Sequence, residues 1–347
     1  MTLTETAQLT KKAFIIIAIT LVVLFSLWGG IAYYLATRPV EVYVELPTKN
    51  FGLLPKPALP KTKLTASSVS FTLDTETGDL PTELPELMKV YFIPKLGATL
   101  LAPEKAKQLA SAFSFKNGPE IMSPTIYRFI DDAGGEFIYD LDSRNFRFKR
   151  PIATNSADFQ DSETTQIESE NLLINNFKKY LNDQGSMPSQ LSSGNAKVFY
   201  NRPKQIEATE ANISLWQEDI VEGTEENQTK YPIVTPEFSQ GLVKGVVTRY
   251  NSPQNKYVSV DFIFWPIDLE RFETYPIKTV QEAYEQLQSG EGITVVPYAK
   301  SSASIEKVYI AYLLPKEYTP YLQPVYVFEG PQFAAYVPAI TSDNFEP

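Results

Sequence analysis

Residues 13–35 read AFIIIAITLVVLFSLWGGIAYYL, 23 residues without a charge, and no other stretch of the chain limits its fold as much. At 1.5 Å per residue the run spans about 34 Å as a helix, against a hydrocarbon core of roughly 30 Å. A buried helix of a globular domain keeps a polar face, and this segment has none. A cleaved signal peptide has a shorter apolar region followed by a small-x-small site. Here the run is longer, and Tyr33-Tyr34-Leu35-Ala36 is a poor cleavage site. The expectation is one uncleaved transmembrane helix with its ends at Ala13 and Leu35.

Lys11 and Lys12 abut the N-terminal end of that helix and favour a cytoplasmic tail over 1–12. Arg38 and Lys49 nearly balance them on the far side, so the charge bias is slight. Trp28, Tyr33 and Tyr34 suit the outer interfacial belt. Ser26 and Gly30 form a small-xxx-small pair, the spacing that lets two membrane helices approach. Pro39, Pro47, Pro55, Pro57 and Pro60 make 36–66 an extended spacer, because proline fixes φ and removes donors. Phe51, Leu53 and Leu54 interrupt it with side chains able to dock on a domain. The expected layout is a tail (1–12), an anchor (13–35), a spacer (36–66), a first α/β unit (67–157), second and third units (158–340) and a short tail (341–347). The outer part lies on the extracytoplasmic side of a cell membrane.

The 347 residues include 41 acidic and 31 basic side chains, a net charge of −10. A nucleic-acid binder needs the opposite balance to release counterions, so no nucleic-acid partner is expected. The chain has no Cys, hence no disulfide, thiol nucleophile or thiolate metal site. It has no His, which removes the commonest general base and the commonest zinc ligand. Neither a metal nor a cofactor is expected, and the absent residue types weigh against an enzyme.

Beyond Lys63 short strands alternate with three helices. The first follows Pro103, with Ala106, Leu109, Ala110 and Phe113 on one face. The second opens at the capping box Thr165-x-x-Glu168, carries Leu173, Phe177, Tyr180 and Leu181, and stops at Gly185. The third opens at Thr279-x-x-Glu282, carries Val280, Ala283, Tyr284 and Leu287, and stops at Ser289-Gly290. Strands follow each helix. In YVSVDFIFW (257–265), Val258, Val260, Phe262 and Phe264 alternate with polar side chains, the mark of a sheet covered on one face. The acidic stretch 219–230 reads as an exposed hairpin loop or extension. The fold class predicted is α+β: three successive helix-then-strands units building antiparallel sheets with helices packed on one face.

Few motifs carry chemistry. Asp140-Leu-Asp-Ser-Arg-Asn145 begins like a calcium loop, then places Arg144 at a ligand position and Asn145 where glycine is required. With Asp131, Asp132 and Glu136 it reads as two turns flanking a hairpin. Ser304-x-x-Lys307 and Ser342-Asp343-Asn344 match fragments of the penicillin-binding set, but Lys-Thr-Gly is absent. Asn212-Ile-Ser214 and Asn227-Gln-Thr229 fit the glycosylation pattern, which is frequent by chance. Tyr309, Tyr312, Tyr318, Tyr321 and Tyr326 could form a binding platform or simply line strands. No catalytic residue is nominated.

Three segments share a cadence with a known family: TVQEAYEQLQSGEG (279–292), IEKVYIAYLLP (305–315) and YLQPVYVFEG (321–330). This C-terminal part resembles the YycH/YycI-type proteins, accessory regulators of an essential two-component sensor kinase. The resemblance implies an extracytoplasmic regulatory or scaffold role without catalysis. The function expected is therefore a membrane-anchored binding or regulatory module that contacts another envelope protein. The alternatives are a carboxylate-dependent enzyme on cell-wall glycan, needing two acids across a cleft, and a purely structural envelope component.

Overall fold

The computed structural model describes residues 20–30 except 22, 46–59, 69–152, 166–224, 227–249, 256–296 and 302–347. The chain divides into two compact units, 1–46 and 47–347.

In the first unit the described residues 20–30 are helical and exposed. Phe25 and Trp28 meet with ring centroids 6.0 Å apart. Ser26 and Gly30 both lie on this helix, and a Cβ added at Gly30 would meet nothing within 4 Å. No helix among the described residues is long and apolar enough to cross a membrane. The expected ends of the span, Ala13 and Leu35, lie outside the described residues.

The second unit begins with β1 (Ser70–Leu73) and β2 (Leu87–Phe92), then α1 (Ala102–Ala112), β3 (Asn117–Ile121), β4 (Ile126–Ile130), β5 (Glu136–Asp140) and β6 (Phe146–Lys149). There follow α2 (Glu170–Asp183), α3 (Ser189–Ser192), β7 (Ala196–Tyr200), β8 (Glu210–Leu215), β9 (Ile220–Thr224), β10 (Asn227–Tyr231), β11 (Ile233–Val234), β12 (Val243–Thr248) and β13 (Tyr257–Phe262). Last come β14 (Asp268–Pro276), α4 (Val280–Ser289), β15 (Ile293–Val296), β16 (Ser302–Ile305), β17 (Lys307–Leu313), β18 (Tyr321–Gly330) and β19 (Phe333–Pro338).

The fold is α+β with mostly antiparallel sheets. One eight-stranded sheet runs β3-β4-β5-β6-β13-β12-β8-β7, antiparallel throughout. Its two halves have the same plan: a helix, then four strands whose first lies at the outer edge and whose fourth lies at the centre. They meet where β6 pairs with β13, so the halves are related by a local two-fold. Both helices pack on one face. Ala102, Ala106 and Ala110 of α1 and Leu173, Phe177 and Leu181 of α2 share a core with Phe137, Phe146, Phe148, Val260 and Phe262. The first and second predicted units are thus one sheet.

The other sheet runs β11-β17-β18-β19-β15, and β2 joins it through β18 and pairs also with β14. Two pairings are parallel, β1 with β16 and β11 with β17. The sheet is covered on both faces. Leu322, Tyr326 and Phe328 of β18 belong to the core that α4 covers, while Val325 and Val327 share the opposite face with Val234, Ala311 and Leu313, against which Leu59 and Phe238 pack. The result is a nearly continuous buried run along β18 in place of one-sided alternation. β2, assigned by the sequence to the unit 67–157, pairs here with C-terminal strands, and β1, from the same unit, pairs with β16 in a separate two-stranded sheet.

Helix ends follow local chemistry unevenly. At α4, Thr279 Oγ1 accepts from Glu282 N at 3.2 Å and Glu282 Oε2 from Thr279 N at 2.7 Å, a complete capping box, and Gly290 closes the helix at φ 86°. α2 starts at Glu170, five residues later than expected. The carboxylate expected to cap it, on Glu168, instead receives Lys256 Nζ at 2.7 Å and Asn176 Nδ2 at 3.0 Å. Thr165 lies outside the described residues.

Residues 46–59, inside the expected spacer, lie against the C-terminal sheet. Thr48 N donates to Thr274 Oγ1 at 3.0 Å, and Phe51 stacks on Tyr321 at 4.8 Å. Leu54 is fully buried and bridged in parallel to Phe345, while Leu53 stays exposed. The expected hairpin at 219–230 is β9–β10.

Candidate functional site

A groove of about 610 Å³ lies on the helical face of the eight-stranded sheet. That volume lies within the usual range for ligand sites, roughly 300–1,000 Å³. Its floor is aromatic. Phe146 of β6 and Phe262 of β13 are register partners, so their side chains project from the same face. Their rings stack 4.7 Å apart and 6° from parallel, at the local two-fold. Phe264 extends this row, 6.4 Å from Phe262. One wall is the side of α1 that carries Lys105, Gln108, Leu109 and Ala112. The other is the turn after α2, residues 183–188, whose Gly185 takes φ 68°.

The β5–β6 turn closes one end. Asp140 accepts from Asp142 N at 3.0 Å and from Ser143 Oγ at 2.7 Å, and Ser143 Oγ accepts from Asn145 N at 3.2 Å. Asn145 Oδ1 accepts from Phe264 N at 2.9 Å, which ties the turn to the floor. Arg144 sits between them at φ 62°, a left-handed conformation uncommon outside glycine. The loop that fails as a calcium site is therefore a wall of the groove.

The rim is electropositive. Among the described residues neither Lys105 nor Arg144 has an ion-pair partner, whereas Asp183, the groove's one carboxylate, is neutralised by Lys179 at 3.1 Å. Burial raises the pKa of Tyr139 in the floor; the nearby charge of Arg144 pulls it partly back, and that of Asp140 pushes it up again. Leu96 lines the groove, and Leu100 and Leu101 in the same loop are strongly exposed apolar side chains. The groove thus holds apolar surface, neutral polar groups and two cations. It holds neither a pair of carboxylates nor a nucleophile beside a base.

The residues singled out in the sequence fall elsewhere. Asp131 faces Arg150 and the amides of Ala133 and Gly135, and Asp142 receives Ala98 N. Among the described residues no group of three or more acidic side chains is placed to hold a metal ion. Ser304 Oγ points to Asp74 at 3.5 Å, and Lys307 begins the next strand. Asn344 lies in the turn 342–344, whose backbone holds Leu54. Asn212 is in mid-strand between Phe199 and Val246, whereas Asn227 opens an exposed strand. The C-terminal tyrosines form no platform. Tyr309, Tyr312, Tyr318 and Tyr326 donate to Glu329, Glu222, Ile93 O and Lys278 O, and Tyr321 stacks under Phe51. Of the groove residues, sequence reasoning had singled out Leu109, Phe262 and Phe264 as core and the turn 140–145 as a failed motif. Its floor reads as ordinary core, and only a non-glycine residue in a tight turn marks Arg144.

No family model matches the chain. No curated protein matches it either. Among solved structures, an uncharacterized protein from Eubacterium rectale is similar over 74% of this chain and 84% of its own, with 10% identity and a TM-score of 0.37. The C-terminal domain of YpeB from Bacillus megaterium is similar over 70% of this chain and 93% of its own, with 12% identity and a TM-score of 0.32. At these scores the likeness carries no argument about function. The resemblance of 279–330 to the YycH/YycI-type proteins rests on its residues alone.

Proposed function

We propose that the chain is a membrane-anchored extracytoplasmic module that works by binding another envelope protein, without catalysis of its own. The observation that carries the proposal is the groove: an aromatic floor, a neutral polar rim and uncompensated cations, which is the make-up of a recognition surface. The uncharged run 13–35 supplies the anchor. The YycH/YycI-like cadence of 279–330 supports a regulatory task, with a membrane-embedded kinase as the class of partner. In the structure those residues form α4 and core strands of the second sheet.

Tethering makes a weak contact sufficient, since short linkers give effective concentrations around millimolar. The strap at 46–59 shortens the leash. Only twelve residues separate Leu35 from Thr48, a reach of at most about 40 Å. Full-length, anchor-swapped and secreted soluble forms should be compared in a deletion background. A partner-binding module is rescued by the swapped anchor and poorly by the soluble form. Full rescue by the soluble form at native abundance refutes the tether. Failure of the swapped anchor points to Ser26 and Gly30 as a specific helix contact. N-terminal sequencing of the membrane-extracted protein checks the anchor itself, which is lost if the mature chain starts near residue 37.

A further inference from the structure

Resting on the binding-module proposal, we infer that the groove between α1 and the turn after α2 receives a polypeptide segment that combines apolar anchors with carboxylates. Three features define that occupant. Phe146 and Phe262 are already buried, but Phe264 beside them is only half-buried and Leu96 on the rim is exposed, so the groove leaves apolar surface that large apolar side chains would cover. Desolvating such aromatics is where interfaces gain most of their affinity.

Charge sets the second feature. In a chain of net charge −10, the rim of this groove presents Lys105 on the helix wall and Arg144 on the facing turn, with no carboxylate paired to either among the described residues. Both cations attract a carboxylate on the occupant, and Arg144 can bind one in bidentate fashion. The same field repels a cationic segment and raises the encounter rate of an anionic one.

The third feature separates a polypeptide from an acyl chain. Gln108, Ser143, Asn145, Gln184 and Ser186 ring the mouth with neutral donors and acceptors. Such groups match the amides of a peptide backbone and give a lipid tail nothing. The groove is also open to solvent rather than an enclosed cavity.

The test uses the full-length chain in lipid nanodiscs and a random linear peptide library displayed on phage. Peptides enriched on the wild type should pair aromatic or branched apolar residues with Asp or Glu. Synthetic copies of them should bind at least about tenfold more weakly, a loss of about 1.4 kcal/mol, to K105E/R144E. Added salt should weaken binding to the wild type and, by screening the new repulsion, strengthen what remains in the double variant. A112W and Q108W fill the groove from two exposed positions on α1, and each should abolish binding while the far-UV spectrum is unchanged. Enriched peptides without an acidic bias, or binding that survives both fillers, would overturn the inference. So would laurate, assayed in parallel, binding in a filler-sensitive way while no peptide is enriched; that outcome assigns the groove to lipid. The rescue comparison reads tethering and not groove occupancy, so either idea can fail while the other stands.

Discussion

Arg150 is the most costly side chain to place in this body, because it is charged and only 7% exposed. Its guanidinium lies over the adjacent rings of Phe115 and Phe148, 4.6 Å from each centroid. Nη1 donates to Tyr257 O at 3.2 Å, Nη2 donates to Phe113 O, and Nε faces the Asp131 carboxylate at 3.4 Å. One residue thus joins the end of α1, the central strand β13 and the β4–β5 turn. Replacing it by alanine strands Asp131 in a buried site, and the expected loss is about 3–5 kcal/mol. Urea titration of Arg150→Ala measures it, and adding Asp131→Asn should restore part of the stability. The tyrosines give a second residue-scale prediction. Burial pushes Tyr275 and Tyr326 up to about 12, and Tyr312 and Tyr336 higher still. A raised pKa favours the neutral phenol in the folded chain, so this stability is complete below the unfolded value of about 10 and is lost as pH rises through the folded values. Phenolate absorbance should therefore appear together with loss of the native spectrum. Phenolate absorbance that is lost on Tyr→Phe substitution at these four positions, yet forms while the native spectrum persists, would mean that these hydroxyls are not buried.

The contact between α2 and its sheet turns on one missing side chain. Gly245 of β12 lies under Phe177, and a Cβ there would stand 2.5 Å from the ring. Phe177 is fully buried and cannot swing away, so Gly245→Ala should cost about 1–3 kcal/mol by overpacking. Phe177→Leu in the same chain should recover part of that loss in a thermal melt, although Phe177→Leu alone destabilises. Elements like these were legible where their signals were local. α1 and α4 show their apolar stripes within a few turns, and the meander β4–β5–β6 alternates cleanly. The start of α2 was misread because Glu168 pairs with Lys256, a partner far along the chain. β14 escaped notice because its first residues are polar and exposed, and only pairing with the distant β2 makes it a strand. In β13 the alternation held at Val260 and Phe262 but slipped at Val258, where a bulge beside Val247 turns Tyr257 to the core. The groove was the least legible feature. An aromatic on the inner face of a strand has the same pattern whether a helix covers it or leaves it open.

At the scale of the whole body, the chain passes repeatedly between the two sheets. Between β8 and β12 it leaves the first sheet to form β9–β10 and β11. Glu222 on β9 accepts from Tyr91 at 2.8 Å and Tyr312 at 2.7 Å, and β11 pairs with β17. Trp265, just past β13, donates to Pro315 O at 2.8 Å. Such crossings predict a single cooperative transition for 47–347 by calorimetry, and two resolved transitions would count against it. The strap belongs to that cooperative unit. Leu54→Ala removes a fully buried side chain and should lower stability by about 2–5 kcal/mol. A chain begun at residue 67 should lose at least as much relative to one begun at 47.

Leu54 N donates to Asn344 O at 2.8 Å, and Glu346 N donates to Leu54 O at 2.8 Å. The first and last segments of the body are therefore bonded to one another. In wiring terms the body is nearly a ring. A short splice from Pro347 back to Thr48, with new ends cut between the exposed Lys316 and Glu317, would keep every strand pairing described above. It follows also that any domain fused behind Pro347 would depart beside the segment around Leu54, where the chain enters the body.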